Sequence, residues 1–457
     1  MIKDLVRALR LDLENRPPSL ALVGAGGKTT TLFLLGRQLL APPYAYPTVV
    51  LTNSAHLGVD QARQVDAHFT VTRPADLDRP ARALPPGLVL FTGPPLLEKD
   101  GQKRLSGLSP TALDRLSALA EEQDAPLLIE ADGSRQRPLK APADHEPPIP
   151  PSARQVVIVA GLHGLGRKLD ANTVHRPHLF GEIGDLAAGQ IITPAVLARV
   201  LLHPQGGRKN LPPSARAIIL LAGADSSERQ AQGRWLAGQL QPVYDAVLIG
   251  NLESRPQPEI YAVHEPAAGV ILAAGGSTRL GRPKQLLTWR NQPLVRRAAL
   301  TALTAGLLPL IVVTGASAEQ VSGALEGLPV QIRHNSDWQA GQSTSLRVGV
   351  SALPANAGSA TFLMTDQLFL NPPFLRSLVE MHAAALPPIV APLVDGQRAN
   401  PVLFDRRAFA DLRTITGDIG GRALFSRYTA AWLDWHDSNL LYDIDMPEDV
   451  ARFQNLD

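Results

Sequence analysis

Two stretches of this 457-residue chain set glycines directly before positive charge. The first, "LALVGAGGKTTTL", has Gly24, Gly26 and Gly27 ahead of Lys28, Thr29 and Thr30. The second, "LAAGGSTRLGRPKQLL", has Leu272, Ala273, Ala274, Gly275, Gly276 and Ser277 ahead of Arg279 and Lys284. Glycine lets backbone N–H groups approach an oxyanion that side chains would block, and a following helix adds its positive end. Lysine brings a point charge and arginine a two-pronged fork. Both stretches read as phosphate cradles. A tight turn uses the same glycines, so the carboxylates elsewhere weigh in the choice.

Those carboxylates stand at the ends of apolar runs. "PLLIEADG" ends in Glu130 and Asp132, "FLMTDQ" in Asp366, and "LLYDID" in Asp445. Strand ends of a parallel sheet gather along one edge, and two carboxylates with a triphosphate can complete an octahedral Mg²⁺ site. The expected metal ligands are therefore Asp366 and Asp445 for the second cradle. For the first they are the Thr29 hydroxyl with Glu130 and Asp132. A lone Asp is more ordinarily a cap or turn residue. Gly-Lys-Thr suits a P-loop gripping the β- and γ-phosphates of ATP or GTP. Leu22, however, stands where a Walker loop has its first Gly, so this loop is a variant. The second loop matches neither the Walker spacing nor G-x-G-x-x-G. Ser343 and Ser345 stand where a helix starting before "LRVGV" would take its cap. Basic residues also cluster at Arg135, Arg137 and Lys140, and at Arg167, Lys168 and Arg176. They suit a second anion or a solvated face. His163, His175 and His178 lack a tight ligand spacing.

Short Val/Ile/Leu runs must position these groups. "SLALVG", "TVVLT", "LVLFT", "PLLIE", "QVVIVA", "AIILLA" and "DAVLIG" alternate with helical spacing, as over 112–122 and 230–240. Such runs suit strands buried on both faces of a mostly parallel sheet. After "HEPAAG" the pattern restarts with "GVILAA", "LIVVTG", "VQIRHN", "ATFLMTD", "IVAPLV", "NPVLF" and "LLYDID". The expectation is α/β, with two doubly wound domains at 1–264 and 269–457. The opening "MIKDLVRALRLDLENR" reads as an amphipathic helix, not a signal peptide.

Composition narrows the class. With 44 basic and 42 acidic residues the net charge is +2, too even for nucleic acid or an anionic membrane as main partner. The chain has no cysteine, which excludes disulfides, thiolate chemistry and cysteine-held metals. No apolar run approaches the roughly 18 residues of a membrane helix, so a cytoplasmic location is expected.

The second half resembles the MobA/MocA-type nucleotidyltransferases of molybdenum cofactor synthesis, specifically the molybdenum cofactor cytidylyltransferases. The family loop is approximately LAAGxSxRMGxPK; here Leu280 replaces the Met. Its Asp-Gln-Pro motif is "TDQL", with Leu368 for the Pro. "NSDWQAGQSTSLRVGV", "GQRANPVLF", "TGDIGGRALF" and "DIDMPED" resemble its later motifs, with Ala399 where a Gly is usual. The resemblance implies a Rossmann-like nucleotidyltransferase that moves CMP from CTP to molybdopterin and releases pyrophosphate. Arg279 and Lys284 would meet the triphosphate, Asp366 and Asp445 would hold Mg²⁺, and Ser343 and Ser345 would hold ribose or base. Leu-Ala-Ala-Gly accompanies CTP in that family, and Leu-Ala-Gly-Gly accompanies GTP. The first half resembles the YqeC-like family, linked to selenium cofactor biosynthesis and selenium-dependent hydroxylases, through "VGAGGKTT", "IEADGSRQRPLKAPADHEPPIP", "VHRP" and "YDAVLIGNL". That implies a P-loop NTPase-like domain, either an NTPase or a nucleotide-gated scaffold. The recipient partner would be a molybdenum hydroxylase of the xanthine dehydrogenase type.

Overall fold

The computed structural model describes residues 1–78, 80, 83–97, 103–254, 257–278, 280–444, 446 and 449. The chain divides into two compact units, Met1–His264 and Glu265–Asp457.

The first unit is built on β1 Ser19–Gly24, β2 Thr48–Asn53, β3 Ala67–Thr70, β4 Gly87–Thr92, β5 Leu127–Glu130, β6 Gln155–Gly161, β7 Arg216–Ala222, β8 Ala246–Asn251 and β9 Glu259–His264. Their order across one sheet is β9-β8-β7-β6-β1-β5-β2-β4-β3. Neighbours run parallel, except that β9 pairs antiparallel with β8. Leu20–Leu22, Val156–Val157 and Ile218–Leu221 are buried, as the unbroken apolar runs require of strands covered on both faces. Helices start where a side chain caps them. Ser109 accepts from Ala112 N–H ahead of Pro110–Glu122, and Ser226 from Arg229 N–H ahead of Ser227–Leu240. Each cap answers one orphan donor of the first turn.

The second unit is built on β10 Ala267–Ala273, β11 Leu310–Thr314, β12 Val330–His334, β13 Ser359–Met364, β14 Ile389–Val394, β15 Val402–Asp405 and β16 Ala430–Asp434. The order is β12-β11-β10-β13-β15-β14, with β16 parallel beside β14. β15 runs antiparallel to both its neighbours. Along β10 the side chains alternate between two cores. Ile271 and Ala273 pack with Val295, Ala299 and Phe374, and Val270 with Leu346, Val350 and Phe404.

The architecture is α/β with mainly parallel sheets. Three features differ from expectation. The opening helix covers only Leu5–Ala8, because Arg10 turns left-handed at φ 63° and ends it. "LLYDID" is not a strand over its described part: Ser438–Leu441 is a 3₁₀ turn started by Asp437, which accepts from Asn439 N–H. The last strand is instead β16, whose residues are all partly or fully exposed. β3 and β9, at the two sheet edges, also have exposed or half-buried positions.

Gly24 has φ +92°, and a Cβ there would lie 2.2 Å from the Val159 carbonyl oxygen. Gly24→Ala should therefore destabilise the first unit by about 2 kcal/mol or more in denaturant unfolding. Gly238, in a helix with nothing near its Cβ position, should instead gain about 0.5–1 kcal/mol on substitution by Ala. Equal responses at the two positions would contradict the close packing of β1 on β6.

Candidate functional site

In the first unit β1 ends at Gly24 and the next helix begins at Lys28, so Ala25–Gly27 make the whole turn. Gly26 and Gly27 take φ +87° and +133°. A Cβ on Gly26 would lie 2.7 Å from Gly161 Cα, so this position has no room for a side chain. Ala25 N–H donates to Val159 O at 2.8 Å, and Gly24 N–H to Asp132 Oδ2 at 3.0 Å. Gly26, Gly27, Lys28, Thr29 and Thr30 line a cavity of about 830 Å³.

Lys28 is buried. Its ammonium donates to Gly24 O at 2.7 Å and lies 3.3 Å from Asp132 and 3.9 Å from Glu130. The Thr29 hydroxyl donates to Glu130 at 2.8 Å. Burial raises the Glu130 carboxyl above its ordinary range, against the pull of Lys28. The charges continue beyond Asp132. Asp132 meets Lys140 at 2.8 Å, and Lys140 meets Glu146 at 2.7 Å. Arg176 grips Glu146 with both arms at 2.7 and 2.9 Å. Burial alone would raise the Glu146 carboxyl, but Arg176 and Lys140 outweigh it and hold it at about 2. Burial, with Arg176 and Lys140, pushes His175 down to about 4, so it is neutral at neutral pH.

This chain of charges resolves the basic clusters. Lys140 and Arg176 are locked within it. Arg167, Lys168 and His178 are exposed. Arg135 and Arg137 line the cavity beside the loop. Asp132 is engaged by Gly24, Lys28 and Lys140, yet its Oδ1 accepts no hydrogen bond among the described residues, while the Thr29 hydroxyl and Glu130 are bonded to each other.

In the second unit β10 leads into a loop lining a cavity of about 1050 Å³, with Ala274, Gly276, Lys284, Trp338 and Ser345 among its walls. Ser277 takes φ +50°, and its Oγ accepts from Lys284 N–H at 3.0 Å. The Lys284 ammonium donates to Asp366 Oδ2, across from the neighbouring strand β13. Asp366 is 5% exposed, and among the described residues its other oxygen has no hydrogen-bond partner. A buried carboxylate oxygen left open beside a cavity fits a divalent cation. Arg279 and Asp445 lie outside the described residues. Among the described residues, no three His, Cys, Asp or Glu side chains gather as a ready-made metal site.

Ser343 and Ser345 are both buried, and neither caps the helix Gln342–Ser351, which begins after Gly341 without a side-chain cap. Ser345 lines the cavity and accepts from Asn335 Nδ2 at 2.9 Å. Among the described residues the Ser343 hydroxyl has no hydrogen-bond partner, and Ser343 is not among the cavity walls. Two organising residues escaped sequence reasoning. Gln285 is 2% exposed and donates to Ala273 O and Gly275 O at 3.2 and 2.7 Å, fixing the loop. Asn335, 2% exposed, also donates to Thr344 at 2.8 Å. Their only sequence signal is a polar amide beside a motif or just past a strand.

The glycine loop and Lys284 thus line one cavity, with the Asp366 carboxylate reaching that lysine from behind the wall, an arrangement suited to a nucleotide's phosphates. Residues 20–178 match the YqeC protein family and residues 269–432 the MobA-like NTP transferase domain. The chain is 33% identical over 255 residues to the YqeC protein of Escherichia coli (strain K12), covering 54% of this chain and 94% of that one. It is 32% identical over 196 residues to the nicotine blue oxidoreductase of Paenarthrobacter nicotinovorans, covering 40% of this chain and 94% of that one. The crystal structure of Rv0371c from Mycobacterium tuberculosis H37Rv is 28% identical, covers 42% of this chain and 98% of that one, and has a TM-score of 0.38. The chain belongs to the YqeC family through its first unit and to the MobA-like NTP transferase family through its second. The second unit is thus a nucleotidyltransferase.

Because the Glu146 carboxyl titrates lower in the fold than in the unfolded chain, its pairing stabilises the fold fully above the ordinary value of 4.5. That contribution is lost as pH falls through about 2. In denaturant unfolding, the advantage of the wild type over Glu146→Gln should be constant above about pH 5 and shrink steadily below it. A pH-independent difference would show that the ion pairing does not carry it.

Proposed function

We propose that the second unit transfers CMP from CTP to the phosphate of a molybdopterin-type acceptor and releases pyrophosphate. The observation that carries this reading is the Lys284–Asp366 pair facing a glycine loop, with the second Asp366 oxygen open. An acceptor phosphate oxygen would form a bond to the α-phosphorus as the bond from that phosphorus to the β-phosphate oxygen breaks. No proton need leave an ionised acceptor, so the chain's work is positioning and charge balance. Lys284 would neutralise charge on the triphosphate, Arg279 would add a fork, and the loop over Ala274–Ser277 would hold phosphate and base. Mg²⁺, held by Asp366 and Asp445, would supply charge neutralisation at the α-phosphate and the leaving group.

Ala274 supports CTP over GTP. Its Cβ is packed so closely that a Cβ added to Gly315 would lie 2.8 Å away. The methyl therefore stays in place and narrows the space beside the base, which favours a pyrimidine. For the first unit we propose ATP or GTP on Gly24–Thr30, with Mg²⁺ at Thr29, Glu130 and Asp132. It would act as an accessory in maturing the molybdenum hydroxylase that receives the cofactor.

The test is pyrophosphate release by the whole protein with Mg²⁺ and molybdenum-loaded molybdopterin. Release with CTP should require the acceptor and fall by roughly 10²–10³ in Asp366→Ala. Ala274→Gly should move the preference toward GTP. Acceptor-independent turnover, or full activity in Asp366→Ala, would contradict the reading.

A further inference from the structure

We infer that the cavity of the first unit holds a second anion, a phosphate-bearing small molecule, on Arg135 and Arg137, beside the nucleotide phosphates on Gly26–Thr29. This rests on the loop holding a nucleotide. The two arginines come from the turn that follows β5, and the loop from the turn that follows the adjacent β1, so they form separate walls of one cavity.

Among the described residues lining that cavity, the carboxylates are Asp60, Glu130 and Glu253, against Lys28, Lys103, Arg104, Arg135 and Arg137. Asp60 faces Arg63 at 3.6 Å, and Glu130 is taken by Thr29 and Lys28. Arg135, Arg137 and Lys103 form no ion pair among the described residues; the exposed Glu253 lines the same cavity, and Asp170, whose carboxyl is lowered first by the Thr173 N–H, also feels Arg137. Lys28, by contrast, is already placed at the loop. A nucleotide held there leaves the guanidinium wall only partly neutralised. Arginine forks match phosphate oxygens two at a time, so the wall fits a phosphate group better than a carboxylate-poor neutral ligand.

The wall is also built rather than loose. Lys140, whose side chain is 3% exposed, donates to Gly133 O at 2.7 Å while pairing with Asp132 and Glu146. That fixes where the turn begins. Arg137 N–H closes it on Ser134 O at 3.0 Å, and Pro138 O accepts from Gly161 N–H at 3.0 Å. Between these anchors Arg135 and Gln136 both take left-handed φ, 49° and 58°. Two successive non-glycine residues in that region are strained, and the anchors on either side hold them so. The same buried lysine that neutralises Asp132 under the nucleotide loop thus sets the base of the arginine turn.

The test is titration of the full-length protein with inorganic phosphate while both nucleotide loops are saturated with non-hydrolysable triphosphate analogues. The wild type should still bind phosphate. In the Arg135→Ala/Arg137→Ala double variant its affinity should fall at least tenfold, with analogue binding unchanged. These side chains reach solvent, so folding should survive; circular dichroism checks it. Equal phosphate binding by variant and wild type overturns the proposal. So does a variant that loses the analogue instead, which would make the arginines part of the nucleotide site. If the first unit takes up no analogue, the nucleotide reading fails by itself. Phosphate alone then decides: binding kept in Lys28→Ala and lost in the double variant supports the second-anion site, and any other pattern overturns it.

Discussion

In each unit, a lysine behind a glycine loop pairs with an aspartate just past the end of the adjacent strand: Lys28 with Asp132, and Lys284 with Asp366. The pair ties the loop to the sheet edge and keeps a cation ready where phosphates would arrive. Both members are largely buried, or in the case of Lys284 partly so. A phosphate arriving there would have its oxygens take over from the carboxylate, or share the lysine with it.

The two units use this device differently. In the first, Asp132 also meets Lys140, and the charges run on through Glu146 to Arg176. The loop is short, its glycines press on β6, and little can shift. In the second, Asp366 Oδ1 accepts no hydrogen bond among the described residues, and Gln285 steadies the loop by donating to Ala273 O and Gly275 O. A buried carboxylate oxygen without a hydrogen bond suits a metal-assisted transfer.

Much of this was legible in sequence. The central strands carry unbroken Val/Ile/Leu runs, because both faces are buried and no polar alternation is possible. The glycine loops and Asp366 followed from strand ends meeting along one edge. The edge strands β3, β9 and β16 were not legible, because half their residues face outward and their composition is mixed. "LLYDID" misled for the opposite reason. Its Leu440 and Ile444 are buried as isolated anchors, Ile444 beside Trp289 and Leu368, without a sheet partner. The roles of Lys140, Glu146 and Gln285 depend on partners brought close by folding, which spacing along the chain does not encode.

The most direct measurement follows two labels in one reaction. The whole protein is given molybdenum-loaded molybdopterin with CTP labelled at the α- or the γ-phosphorus. The account predicts that the α label enters the acceptor and the γ label leaves in pyrophosphate. Release of the γ label as free phosphate, with no α label in the acceptor, would contradict it.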